Sequence, residues 1–314
     1  MKLSEIFKKY STERKAKIAF KHLRDEQGIV CKKCKHREHY WKADKWQYEC
    51  KSCGFRTTLR SGTIMESSKL PYRYWMIAMG LVTATKKSFS ALEVQRQLGH
   101  KRYEPIWFML HKIRVAMGRR DDKYKLDGFI EIDEGFFEGQ QRKDDDSQED
   151  KYFAYQNKGK RQVKVLVAVE SEPVNTPHKN PNRPSRKAGF IKMKVLDQIS
   201  KDDIIYEVKR TIHTQANAIT DGRRCYRDLK DILANHEVKV CEDKKEVSKI
   251  FPWAHIAISN AKKMCQGIHH SIRKDFMQNY LNEFCYKFNR RYFGDKLLER
   301  LLVASVEAAW YEFR

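Results

Sequence analysis

The sequence predicts an α/β fold, a mixed sheet with flanking helices, preceded by a small zinc ribbon and a helical domain. Three observations predict it. Two C-x-x-C pairs lie fifteen residues apart near the start, apolar residues recur at helical spacing from 71 to 118, and from 128 onward short β-branched runs alternate with helical stretches.

Composition sets the bounds. A chain of 314 residues with 41% hydrophobic content holds two or three domains and enough apolar mass for a core, which excludes disorder throughout. Lys and Arg number 64 against 41 for Asp and Glu, and the resulting +23 favours a polyanionic partner, nucleic acid foremost. The charged, amphipathic opening carries no signal-peptide pattern, and no run of about eighteen apolar residues follows, so a cytoplasmic protein is expected. Of the eight cysteines, four make the two pairs, which suits metal binding in a reducing compartment better than a disulfide framework. Cys225, Cys241, Cys265 and Cys285 are scattered and expected to be buried packing residues.

Residues 1–30 read as a helical segment, a short helix at 4–7 and a longer one at 13–25 with Ile18, Ala19 and Leu23 at helical spacing. Residues 31–60 form the ribbon. The spacing of Cys31, Cys34, Cys50 and Cys53 lets two tight knuckles bring four thiolates around one zinc ion, and Gly54 permits the tight backbone of the second. A closed four-cysteine site has no open coordination position, so the zinc is structural, compensating a segment too small for a core. His36 and His39 are read as surface residues. Lys32, Lys33, Lys35, Arg37, Lys42, Lys45 and Lys51 fit phosphate contact, with a protein-binding ribbon as the competing reading.

Residues 61–120 read as a helix-turn-helix DNA-binding domain with helices at 71–85, 90–98 and 104–118. Ser90 caps the second and Gly99 ends it. In the third, Ile106, Trp107, Leu110, Ile113 and Ala116 turn inward while Lys112 and Arg114 point elsewhere, the division expected of a recognition helix. An ordinary helical bundle shows the same turn.

Residues 121–314 read as the catalytic domain. Strands are expected at 128–139, 163–170, 190–198, 218–220 and 238–240, and helices at 204–211, at 225–234 and from 259 onward. An acidic loop at 140–150 and a Pro, Asn and Lys-rich stretch at 171–187, expected to be mobile, stand outside the core. Phe129-Ile-Glu-Ile-Asp133-Glu134-Gly135 ends an apolar strand on an acid, and Ala218-Ile-Thr-Asp221-Gly222 does so again. Two strand-end aspartates in one sheet can converge on hard divalent cations, which activate a nucleophile and stabilise a leaving oxygen in phosphoryl displacement. A single Asp-Gly reads first as a turn, and two in matching contexts weaken that reading.

The order of ribbon, helix-turn-helix, E-I-D-E-G, I-T-D-G-R-R-x-Y, H-I-A-I-S-N-A-K-K, G-I-H-H and Y-L-N-E-F-C-Y-K-F-N-R-R resembles the bacterial insertion-sequence transposases of family fifteen ninety-five. The likeness spans nearly the whole chain, and the block at 280–291 is its most specific piece. The resemblance implies an RNase H-like domain in which two aspartates and a third residue, Glu or Asn by subgroup, hold Mg²⁺ or Mn²⁺. The matching positions are Asp133, Asp221 and Asn260, with Lys263 (or Lys262) as the lysine that contacts DNA phosphate. A neutral amide oxygen adds no charge, so the second metal would bind more weakly until DNA supplies phosphate oxygens. Glu131, on the face of Asp133 by strand alternation, is the substitute ligand if Asn260 is not one, and His255 a weaker alternative. Arg290 and Arg291 read as backbone contacts to DNA, or with Glu283 and Lys287 as an ion-paired packing face.

The expected activity is metal-dependent cleavage at transposon ends and strand transfer into target DNA. Double-stranded DNA is the partner, with no membrane and at least a dimer on DNA, in a nucleoid-associated bacterial protein. The alternatives are a non-catalytic zinc-ribbon DNA-binding regulator derived from a transposase, or a nuclease that cuts without joining.

Overall fold

The computed structural model describes residues 2–140, 162–174, 185–240, 250–269 and 272–307. They divide into two compact units, Met1–Arg120 with Arg290–Arg314, and Asp121–Asn289. Residues 290–307, expected in the catalytic segment, therefore group with the first unit. The acidic loop lies, apart from Gln140, outside the described residues, as do Cys241 and the middle of the Pro, Asn and Lys-rich stretch. Among the described residues no helix is long and apolar enough to cross a membrane.

The first unit starts with α1 (Leu3–Lys9) and α2 (Glu13–Gln27), the latter capped by the Thr12 hydroxyl, which accepts from the Lys15 N–H. A small antiparallel sheet follows: β1 (His39–Lys42), β2 (Gln47–Cys50) and β3 (Arg56–Thr58). Next comes α3 (Tyr72–Ala84), whose Pro71 cap offers no side-chain bond; the Glu13 carboxylate instead accepts from the Tyr72 and Arg73 N–H groups, both at 2.9 Å. A carboxylate at a helix N-terminus satisfies orphan donors and suits the helix dipole. Trp75, Met76, Ile77, Met79 and Leu81 are buried around α3, which makes it the central helix of the unit. A methyl group at Gly80 would lie 2.6 Å from Ile6 Cγ2, so glycine is what lets α1 approach this closely.

Ser90 caps α4 (Ala91–Leu98) by accepting from the Glu93 N–H, and Gly99 at φ 64° ends it before α5 (Glu104–Asp122). The C-terminal helix Lys296–Glu307 buries Leu298, Leu301 and Leu302 and packs on α2 and α3.

The second unit is a mixed α/β domain. Its sheet contains β4 (Phe129–Glu138), β5 (Gln162–Pro173), β6 (Arg186–Leu196), β7 (Asn217–Thr220) and β8 (Asn235–Val238) in the order β6-β5-β4-β7-β8. The first three run antiparallel, whereas β7 is parallel to β4 and β8 to β7. On one face lie α6 (Lys201–Thr211) and a 3-10 helix (Arg224–Asp231), against Ile130, Ile132, Leu166 and Ala168. On the other lie α7 (Pro252–Met264) and α8 (Lys274–Asn289), against Val163, Val165, Val167 and Val169. Burial of both faces explains why β5 reads as one continuous apolar run.

Three departures from the sequence expectation have local causes. Residues 171–173 and 186–188 belong to the sheet, paired beyond an irregularity at Glu170, so the ends of the stretch expected outside the core are strand. The helix expected at 225–234 is a shorter 3-10 helix, and β8 begins at Asn235. Finally, α7 starts at Pro252, seven residues before the helix expected from 259, with proline in its first turn. At the end of α8, the Asn289 amide accepts from the Ile191 N–H at 2.7 Å and donates to the Ile191 carbonyl at 3.0 Å, tying the helix to β6. Glu283 and Lys287 pair at 2.9 Å inside the unit, the packing role open to them in the sequence.

Candidate metal centre

Register brings the two strand-end aspartates together. The parallel pairing of β4 with β7 matches Glu131 to Ile219, and two further residues along each chain lie Asp133 and Asp221. Glu134 points to the opposite face by alternation, yet its carboxylate turns to the same edge. Asp133, Glu134 and Asp221 each offer an oxygen within 4.8 Å of the others. Hard divalent cations bind oxygens at about 2.0–2.6 Å, so one ion fits between these three.

The surrounding charges show how costly that concentration of acid is. Burial pushes the Asp133 carboxyl up, and the charge of Asp221 adds to this, against the Glu134 N–H, His255 and Arg223. Burial likewise raises Glu134, opposed by the Tyr226 hydroxyl and Arg223 and reinforced by Asp221 and Asp133. Arg223 Nη1 lies 2.8 Å from Glu134 Oε2 and its Nε 3.2 Å from Asp221 Oδ2. His255 Nε2 stands 3.5 Å from Asp133 Oδ2. A cavity of about 420 Å³ opens here, lined among others by Asp133, Asp221, Arg223, Lys239, Phe251 and His255.

Glu131 shares the face of Asp133, but its carboxylate is occupied otherwise. It accepts from the Trp253 and Ala254 N–H groups, both at 2.8 Å, and from the Ser171 hydroxyl, with Arg186 Nε at 4.0 Å. Phe251, at the N-cap of α7, makes no side-chain cap bond, so a residue of β4 caps this helix across space. Glu131→Ala would leave two N–H donors and a hydroxyl unsatisfied in the core, and is expected to cost about 2–3 kcal/mol of stability. Urea unfolding measures it; an unchanged midpoint would contradict the capping role.

The α7 residue that faces Asp133 is His255. Asn260 is exposed on the same helix five residues further on, roughly 140° around the axis from the histidine. Lys263 is exposed as well, whereas Lys262 is half-buried with its ammonium 5.9 Å from the Phe137 ring centre. The structure thus groups Asp133 and Asp221 with Glu134, a residue whose position on the opposite strand face gave no sequence signal.

A family model of the ISXO2-like transposase domain matches residues 125–289, more than half the chain and all three of these acids. The chain belongs to this family of IS1595 DDE transposases. No curated protein matches it. The match coincides closely with the second unit, so the transposase domain is the α/β unit, and the ribbon and the α4–α5 pair lie outside it.

In the first unit of this transposase-family chain, Cys31, Cys34, Cys50 and Cys53 offer sulfurs within 4.8 Å of one another. The Cys31 and Cys53 sulfurs are 3.6 Å apart and those of Cys34 and Cys50 3.5 Å. Four thiolates about 2.3 Å from one zinc ion would stand roughly 3.8 Å apart, so the cluster fits zinc. Each knuckle closes on a left-handed residue: Lys35 at φ 62° donates to the Cys31 carbonyl and Gly54 at φ 68° to that of Cys50. Backbone donation from His36 brings the Cys34 thiol down to about 6, whereas the neighbouring sulfurs push Cys53 up, so the four thiols titrate as one group.

The ribbon aromatics pack against α2. Tyr48 donates to Asp25 at 2.8 Å, and Lys17 and Lys21 lie over the Trp46 and Trp41 rings at 4.2 and 4.6 Å. Lys32, Lys42 and Lys51 pair with Glu66, Glu49 and Glu38, while Lys33, Lys35, Arg37 and Lys45 are exposed.

The cations expected to read DNA from α5 are placed differently. Lys112 is buried with its ammonium on the Glu66 carbonyl at 2.7 Å, and burial pulls its pKa down to about 8. Arg114 is buried too, its guanidinium 3.5 Å from the Phe89 carbonyl. The reason is that α5 is covered beyond its apolar stripe: Met109, His111 and Met117 are also buried. Arg290 is buried, and Arg291 is half-buried with its guanidinium 4.6 Å from the Tyr292 ring centre. In the segment from α4 to the start of α5, Arg96, Lys101 and Arg102 are exposed instead.

Proposed function

We propose that this chain is a polynucleotidyl transferase that cuts DNA at the ends of its element and joins the freed ends to target DNA. Water attacks the phosphorus at the element end, the P–O3′ bond breaks, and a 3′-hydroxyl is released. That hydroxyl then attacks a target phosphodiester, forming one P–O bond as another breaks. Supporting this reading is the convergence of Asp133, Glu134 and Asp221 at one sheet edge inside a transposase-family domain.

Asp133 and Asp221 would hold the catalytic Mg²⁺ or Mn²⁺, and such cations supply Lewis acidity to an in-line displacement. Asn260 and Lys263 are the positions the family resemblance implies for a third ligand and a phosphate-contacting lysine, and both are exposed where DNA can reach them. Zinc in the four-cysteine site would hold the ribbon together. End binding then falls to the exposed cations, Lys33, Lys35, Arg37 and Lys45 in the ribbon and Arg96, Lys101 and Arg102 near the α4–α5 turn, in place of Lys112, Arg114 and Arg290. Joining two ends calls for at least two copies of the chain on DNA.

Incubating an end duplex and a target plasmid with the chain and Mg²⁺ tests the reading. Joined product is expected. Nicks without joining would point to a nuclease, and intact duplex to a DNA-binding derivative that has lost activity.

A further inference from the structure

We propose that Arg223 is a positioning cation that clamps the carboxylate cluster in the free protein and transfers to a DNA phosphate when a divalent cation takes its place. This rests on the reading of Asp133 and Asp221 as cation ligands.

The D-G-R turn sets the arginine in position. Asp221 Oδ1 accepts from the Arg223 N–H at 3.1 Å, which folds the following side chain back over the aspartate. From there the guanidinium spans two acids of the cluster, 2.8 Å from Glu134 Oε2 and 3.2 Å from Asp221 Oδ2. The side chain of Glu134 is 1% exposed and that of Arg223 46%, so the arginine separates a buried acid from the open cavity. A guanidinium carries five N–H donors in a planar fork suited to phosphate, and two polar contacts leave others for an anion arriving from the cavity.

Competition for the same oxygens makes this an exchange. The guanidinium already occupies Glu134 Oε2 and Asp221 Oδ2, and a divalent cation that takes those two oxygens, with its larger charge, leaves the guanidinium no place between them. A cation entering between these oxygens displaces Arg223, and a displaced guanidinium at a cavity mouth is stabilised by a phosphate. Cation binding and DNA binding are then positively coupled, each favouring the other by the same factor. The other basic groups of the cavity are placed less well for this role. Lys239 lies 2.5 Å from Glu237, and His255 faces Asp133 and not Glu134.

Mn²⁺ titration of the zinc-loaded full chain, followed by electron paramagnetic resonance, reads this directly. Without DNA, Arg223→Gln is expected to lower the Mn²⁺ midpoint about fivefold or more, while Arg223→Lys, which keeps the charge, stays within about twofold of wild type. Adding an end duplex should tighten Mn²⁺ binding in the wild type and much less in Arg223→Gln. A midpoint in Arg223→Gln equal to or above that of the wild type, or undiminished coupling to DNA, overturns the exchange. Asp133→Ala and Asp221→Ala separate the two claims: if they retain Mn²⁺ binding, the ligand reading itself fails and the exchange with it. If they lose it while Arg223→Gln is unchanged, the exchange alone is refuted.

Discussion

Asp133→Ala and Asp221→Ala are each expected to lower end cleavage and joining by about a thousandfold or more, roughly 4 kcal/mol of barrier, with end-DNA affinity measured without added divalent cation unchanged within about twofold. The size follows from the register. Parallel pairing of β4 with β7 sets these two residues side by side at a sheet edge, within the acidic group whose oxygens, among the described residues, lie close enough to share one cation. Removing either leaves too few oxygens to hold an ion in a fixed position. Binding should survive because the exposed cations proposed to grip the ends belong to the other unit. Single-turnover cleavage and a filter-binding assay measure both quantities, and joining at the wild-type rate by either variant would remove these residues from the chemistry.

Removing the zinc proposed for the four-cysteine site should have the second largest effect. The ribbon sheet has strands of four, four and three residues, too little to bury a core. Support from outside the ribbon includes the contact of Trp41, Trp46 and Tyr48 with α2 and the Lys32–Glu66 ion pair. Structural zinc contributes about 10–16 kcal/mol of apparent binding energy in small zinc-dependent folds, so Cys50→Ser or chelation should unfold the ribbon. Its exposed Lys33, Lys35, Arg37 and Lys45 then lose their fixed arrangement, and end affinity is expected to fall about a hundredfold at moderate salt. Loss of zinc, verified by metal analysis, with end affinity unchanged would show that the ribbon serves another partner.

Much of the fold was legible because its strongest signals are local. The β-branched runs of β4 and β5, the Asp-Gly after β7 and the four-cysteine spacing each follow from a few neighbouring residues. Other features depend on contacts distant in sequence. The start of α7 was read seven residues late because its cap is Glu131, which belongs to β4. For the same reason Glu131 looked like a spare ligand, since alternation gives its face and not its hydrogen bonds. Alternation likewise gives no signal for Glu134, although its side chain reaches the edge where Asp133 and Asp221 meet. On α5, the apolar stripe showed which side faces the core, but nothing local revealed that Lys112 and Arg114 would be covered from the other side. The basic charge points to a class of partner and not to individual residues, because burial of Lys112, Arg114 and Arg290 depends on packing that no local pattern reveals.

Strand transfer with pre-cut ends tests the central claim most directly, because it isolates the joining step that distinguishes a transposase from a nuclease or a DNA-binding derivative. End duplexes carrying a free 3′-hydroxyl are mixed with a supercoiled target plasmid, the full chain and Mg²⁺, and the plasmid is probed for covalently attached ends. The predicted result is joined plasmid that disappears with EDTA, with Asp133→Ala and with Asp221→Ala. Unjoined plasmid in every condition, or joining that persists in those variants, would contradict it.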